Sequence, residues 1–266
     1  ANVLGSDCKT FSENGSAKAS SFSINANANL SGSTVDTNGN SCPSCNQAYF
    51  DKSGSISYGN TVMTNLALHF HGGDNQEFSL SSNTSLTIGE NASFCDNGVI
   101  STNATINVVN GGTLGCQNFE SSHIDISGNA PGLVVSGGSS VYERYISLNN
   151  SSSIVTDSTL TATDYATIQL SDAKFINSNI SVGNYFTPIS ASVTFDNTTA
   201  NIGGFGPNTS NDTINIENGS KITTGSTNST LQSLSVIESG KSIITFNGYT
   251  TITNSLFSVV SNSTAI

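Results

Sequence analysis

One short run in the sequence has a chemical look: His69-Phe70-His71-Gly72-Gly73-Asp74. On an extended strand, side chains two apart share a face. His69 and His71 would then point together, as metal ligands must, with Asp74 returning from a turn. Nothing at suitable spacing supplies a further ligand or a group to orient the imidazoles. The expectation is therefore a pair of neutral surface histidines, with no metal or other cofactor. Cys42-Pro43-Ser44-Cys45 has the spacing of a redox dithiol, but that chemistry belongs to a βαβ setting, and no helix-forming run surrounds it. A bond from Cys8 to Cys42 or Cys45, tying down an N-terminal cap and leaving one thiol over, is the structural reading. Glu143 and Arg144, the chain's one arginine, are neighbours on an extended run, so they face opposite sides and form no direct constellation. Arg144 is expected in a surface ion pair or stacked on Tyr142 or Tyr145. His123 stands alone. No Ser-His-Asp order, phosphate loop or dinucleotide fingerprint occurs.

These residues sit in an unusual background. The chain has 266 residues, 7 basic and 18 acidic, for a net charge of −11, and only 9% of its residues are charged. Ser, Thr and Asn make up about two fifths of it. Seven basic residues cannot form the cationic stripe that nucleic acid requires, and no apolar run approaches the roughly 20 residues of a membrane-spanning helix. With 35% hydrophobic residues spread evenly, the chain has the means to bury a core. It begins Ala1-Asn2-Val3 without Met, which fits a processed, secreted product.

The element that must position everything else is a repeat. An apolar residue, two or three turn formers, a small polar residue and a second apolar residue recur as Val155-Thr-Asp-Ser-Thr-Leu160, Phe175-Ile-Asn-Ser-Asn-Ile180 and Phe195-Asp-Asn-Thr-Thr-Ala200. The leading residues Val135, Val155, Phe175, Phe195, Ile216, Ile237 and Phe257 are spaced 20, 20, 20, 21, 21 and 20. A period this short cannot hold a helix pair. It fits one turn of a β-solenoid whose strands pair in parallel, about 4.8 Å from coil to coil. A second stack is expected through Leu148, Ile168 and Ile189. Two residues after the leading position come Asp157, Asn177, Asn197 and Asn218. Stacked in one turn, they would form a structural ladder, since Asn and Asp tolerate left-handed backbone and can bond from coil to coil.

Cys95 and Cys116 are one period apart, each at the same offset from a turn motif. Stacked residues lie within the 4.4–6.8 Å Cα window of a disulfide, so a Cys95–Cys116 bond is expected. Residues 1–80 fit the period poorly and read as an N-terminal cap with irregular first coils. Residues 81–266 read as one continuous regular β-helix. The uncharged run 257–266 is strand-like to its end and suggests contact with a downstream segment or another subunit.

Over residues 85–258 the chain resembles the parallel β-helix superfamily, and in particular bacterial surface adhesins and autotransporter passenger domains. The likeness rests on the turn motif, the Asn ladder and the charge-poor, Ser/Thr/Asn-rich composition. It implies a single-stranded parallel β-helix of the pectate-lyase-like type, about 20–21 residues per coil, and a life outside the cell. Enzymes of this superfamily that cleave acidic polysaccharides carry Asp-Asp, Gly-His-Gly and Arg-x-Lys segments or calcium carboxylates with an arginine base. None of the three segments occurs here. The expected function is thus a non-enzymatic structural or adhesive solenoid, a surface adhesin or the subunit of an extracellular filament or matrix. Its expected partners are copies of itself end to end, glycans or a host surface. A polysaccharide lyase or hydrolase is the alternative. An ice-binding solenoid is a second, and would need Thr-x-Thr pairs repeating on one face.

Overall fold

Short β-branched and aromatic runs with period-two alternation, cut by Asn, Ser and Gly, leave the backbone no option but short strands and tight corners. The computed structural model describes residues 3–5, 22–31, 47–50, 54–70, 77–115, 122–128, 131–260 and 264–265. Among them there is no helix, and strands stack in parallel as a β-solenoid. The chain divides into two compact units, Ala1–Glu143 and Arg144–Ile266, with the division inside the strand Ser140–Asn149.

In the first unit, the strands Ala28–Ser31, Asn60–Thr64, Ser85–Ile88, Thr105–Val108 and Pro131–Ser136 pair in succession. They align Leu30, Met63, Ile88, Val108 and Val135 in one row. A second stack aligns Ala48, Leu68, Phe94, Leu114 and Val141. Parallel pairing thus reaches back to Phe22–Ile24, which is aligned with Gly54–Ile56. On its other edge Phe22–Ile24 takes an antiparallel strand, Val3–Gly5. Phe70, Phe78 and Phe94 meet in the core with ring centroids 4.8–5.3 Å apart.

In the second unit, Ser152–Thr156, Asp172–Ile176, Ser192–Asp196, Asp212–Glu217, Leu234–Ser239 and Leu256–Val260 form one stack. The long strands Thr159–Gln169 and Asn179–Ile189 begin another, which continues through Thr199–Phe205, Lys221–Thr224, Ile243–Thr245 and Thr264–Ala265. Its inward row is Leu160, Ile180, Ala200, Ile222 and Ile244.

Two expected alignments are corrected. Ile168 faces Pro188, and Ile189 lies half-buried beside Gln169, so the second stack keeps a spacing of 20 and Ile189 leaves the core row. More consequentially, Ile216 faces Glu238 rather than Ile237, and Phe257 in the next coil accordingly aligns with Val236 and not with the leading row. The strand Leu234–Ser239 buries alternate residues Leu234, Val236 and Glu238. A slip of one residue would turn all three over. Burying Leu234 and Val236 contributes about 1.5–3 kcal/mol each, whereas the opposite register would bury Ile237 with Ser235. Two apolar side chains outweigh one, and Glu238 is carried inside with them.

Candidate interaction face

Of the residues singled out for chemistry, His69 lies in the strand Ala67–Phe70, aligned with Tyr49 and Cys95. His71, Asp74, Cys8, Cys42, Cys45 and Cys116 lie outside the described residues. Cys95 is buried, and its bonding partner also lies outside them. No group of three or more His, Cys, Asp or Glu that could hold a metal ion occurs among the described residues. His123, isolated in sequence, meets Glu77 across the coils, with Nε2 3.1 Å from Oε1, and Asp125 at 3.9 Å. All three are partly exposed, so this is a surface contact.

The turn residues Asp157, Asn177, Asn197 and Asn218 have φ of 51°, 49°, 47° and 52°. Asn197 Nδ2 donates to Asn177 Oδ1 at 2.8 Å. Asn218 Nδ2 turns to Asp196 Oδ1, at 2.6 Å. Beneath this exposed ladder runs a buried one that sequence reasoning missed. The backbone N–H groups of Ser158, Ser178 and Thr198 donate to the hydroxyls of Ser178, Thr198 and Ser220, at 3.3, 3.3 and 2.9 Å. These hydroxyls donate in turn to carbonyls of their own corner, as Ser178 does to Ile176 O at 2.6 Å. Its only signal in the sequence is a Ser or Thr one or two places after each turn residue.

At the next corner Arg144 does both things expected of it. Its Nε lies 3.3 Å from Asp164 Oδ2 and its guanidinium sits 4.8 Å over the Tyr145 ring. Asn184 Nδ2 donates to the other oxygen of Asp164 at 3.3 Å. Tyr145, Tyr165 and Tyr185 stack on one another at 5.6 and 6.0 Å. Because the rings cover each other's faces and Asp164 is already engaged on both oxygens, this corner acts as a clamp between coils.

Among the described residues, Glu143 and Glu238 are the two buried glutamates. Neither carboxyl makes a well-formed hydrogen bond among the described residues. Burial pushes the Glu143 carboxyl up to about 8, with the Ser122 hydroxyl pulling it down and the charge of Asp96 adding to the rise. Burial also raises Glu238. Both are sealed in the core, where no substrate reaches them.

The surface of the second unit has one face unlike the rest. Two files of outward side chains run across the strands that follow the Asn turn: Thr159, Asn179, Thr199, Lys221 and Ile243, and Thr161, Ser181, Asn201, Thr223 and Thr245. Neighbours within a file are about 4.8 Å apart and the files about 6.6 Å. None of these Thr, Ser and Asn side chains takes part in a hydrogen bond within the described residues, so their polar groups are open to an outside partner. Beside the second file come Gly183, Gly203 and Gly225. A Cβ on Gly183 would lie 2.0 Å from Thr163 O, and one on Gly203 2.2 Å from Asn184 O. At Gly183 and Gly203 only glycine allows the coils to pack this closely. The neighbouring face differs, carrying Asp172, Lys174, Asp196 and Glu217 among the outward residues Ile154, Ile176 and Ile237. No helix among the described residues is long and apolar enough to cross a membrane. Compared with protein-family models, curated proteins and solved structures, the chain matches none of them.

Proposed function

We propose that the protein is a non-enzymatic structural or adhesive solenoid acting outside the cell, as a surface adhesin or as a subunit of an extracellular filament or matrix. One observation carries this reading: the open polar groups of the second unit lie in straight files at the coil repeat and do not converge on a point. Acid–base catalysis needs groups within hydrogen-bond reach of one reacting atom, whereas adhesion needs many weak contacts over an area. Apart from the surface contact of His123 with Glu77 and Asp125 and the Arg144–Asp164 clamp, the described ionisable side chains are spread along the coils or sealed inside them.

In this reading the likeness to adhesins and autotransporter passengers reflects shared surface chemistry. The Cys95–Cys116 disulfide belongs to the same proposal as a staple suited to an oxidising exterior. End-to-end stacking of copies is the filament form of the idea, a heterologous contact that builds open polymers. The test is adhesion. Beads coated with the protein are expected to bind cells or extracellular matrix above an albumin control, and the protein is expected to release no reducing ends from neutral or acidic polysaccharides. Cleavage of any of them would replace adhesion with catalysis. Sedimentation at rising concentration checks the filament form, and a concentration-independent monomer would dismiss it.

A further inference from the structure

We propose that the two-file face of the second unit binds one extended chain of a neutral, hydroxyl-rich polysaccharide, laid along the coil stack with about one sugar to each coil. The inference rests on the adhesive reading and gives it a surface and a ligand class.

Four features of the face select this occupant. Its side chains are hydroxyls and carboxamides, which donate and accept. A sugar hydroxyl does both as well, so the two surfaces satisfy each other without charge. The face has a single cation, Lys221, and no acid. A polyanion finds no counter-charge there, and the net −11 of the chain works against it. No apolar side chain appears in either file before Ile243, so neither a hydrophobic peptide nor a membrane has an anchor. Finally, the groups repeat in a straight line once per coil, about 4.8 Å. An extended β-linked glycan advances by close to that rise with each sugar, whereas a compact ligand would use one or two coils and leave the rest idle.

Each hydrogen bond only replaces one to water and adds little alone. Affinity is therefore expected to grow with chain length until the coils are used up. The experiment is titration calorimetry of the full chain with cello-, chito- and manno-oligosaccharides of two to six sugars, together with pull-down on the insoluble polymers. At least one series is expected to tighten steadily with length. The variant S181V/N201V/T223V keeps strand-forming, similarly sized side chains but removes the polar groups. It is expected to lose binding by tenfold or more, while T194V on the neighbouring face leaves it unchanged.

Binding that ignores the triple variant, or no binding to any neutral polymer, overturns the inference. So does thermal hysteresis abolished by the triple variant without sugar binding, which would mean that the face orders ice. Self-association through this face, lost in the triple variant, overturns it as well. Bead adhesion separates the two levels. If adhesion persists without sugar binding, the ligand is wrong and the adhesive reading stands; if both are absent, both fall.

Discussion

Glu238 lies directly across from Ile216, with its carboxyl in the inward row that Val155, Phe175, Phe195 and Ile216 fill in the preceding coils. It is 1% exposed and has no hydrogen-bond partner among the described residues. A carboxyl in that position remains because its strand cannot bury Leu234 and Val236 without it. The coil therefore folds against the preference of one residue.

Replacing Glu238 with Leu is expected to stabilise the protein. Burying a polar group without a partner costs roughly 1–3 kcal/mol in proteins, and Leu fills a similar volume. Urea denaturation at neutral pH should show a higher midpoint for E238L with an unchanged slope. An unchanged or lower midpoint would mean that the carboxyl has a compensating partner.

Glu143 makes stability depend on pH. Its carboxyl is held up to about 8 against an ordinary value of 4.5, so between these values the folded protein keeps a proton that the unfolded chain has released. Stability from this group is complete below pH 4.5 and falls as pH rises towards 8. E143Q removes the ionisable carboxyl and with it this slope. Thermal melts across pH 4.5–8.5 should show the wild type losing stability relative to E143Q, and parallel curves would contradict the burial argument.

The Asn turn separates backbone from side-chain effects. At Asn197, φ is 47°, which glycine accepts and alanine resists by about 1–2 kcal/mol. N197G loses only the amide bond to Asn177, a net loss of about 0.5–1.5 kcal/mol. N197A loses both, so urea melts should rank wild type above N197G and N197G above N197A. Equal losses in the two variants would assign the whole effect to the amide ladder.

Cys95 offers a covalent check. Phe94 is aligned with Leu114, so the register runs one residue short of stacking Cys95 directly on Cys116, and the expected bond has to span that offset. Non-reducing peptide mapping is expected to recover a Cys95–Cys116 linked pair, and reduction is expected to cost about 3 kcal/mol of stability for a loop of this size. Free alkylation of both thiols in unreduced protein would refute the staple.

The sequence by itself determined the coil. Asp157, Asn177 and Asn197 recur every 20 residues because a tight corner is a local event that needs left-handed backbone, and few residue types accept it. The opposite facing of Glu143 and Arg144 was equally legible, since strand alternation is local. Three things were decided only in tertiary structure. The burial of Glu238 depends on which register of a whole strand removes more apolar surface from water, a sum that includes the row of the next coil. Ile168 meets Pro188 because the corner lengths between strands, which no single residue announces, set the pairing. The two-file face stayed hidden because Thr, Ser and Asn are so common that none stands out. Only their register across coils, and the absence of hydrogen-bond partners among the described residues, distinguishes Thr161, Ser181, Asn201 and Thr223 from the polar residues around them.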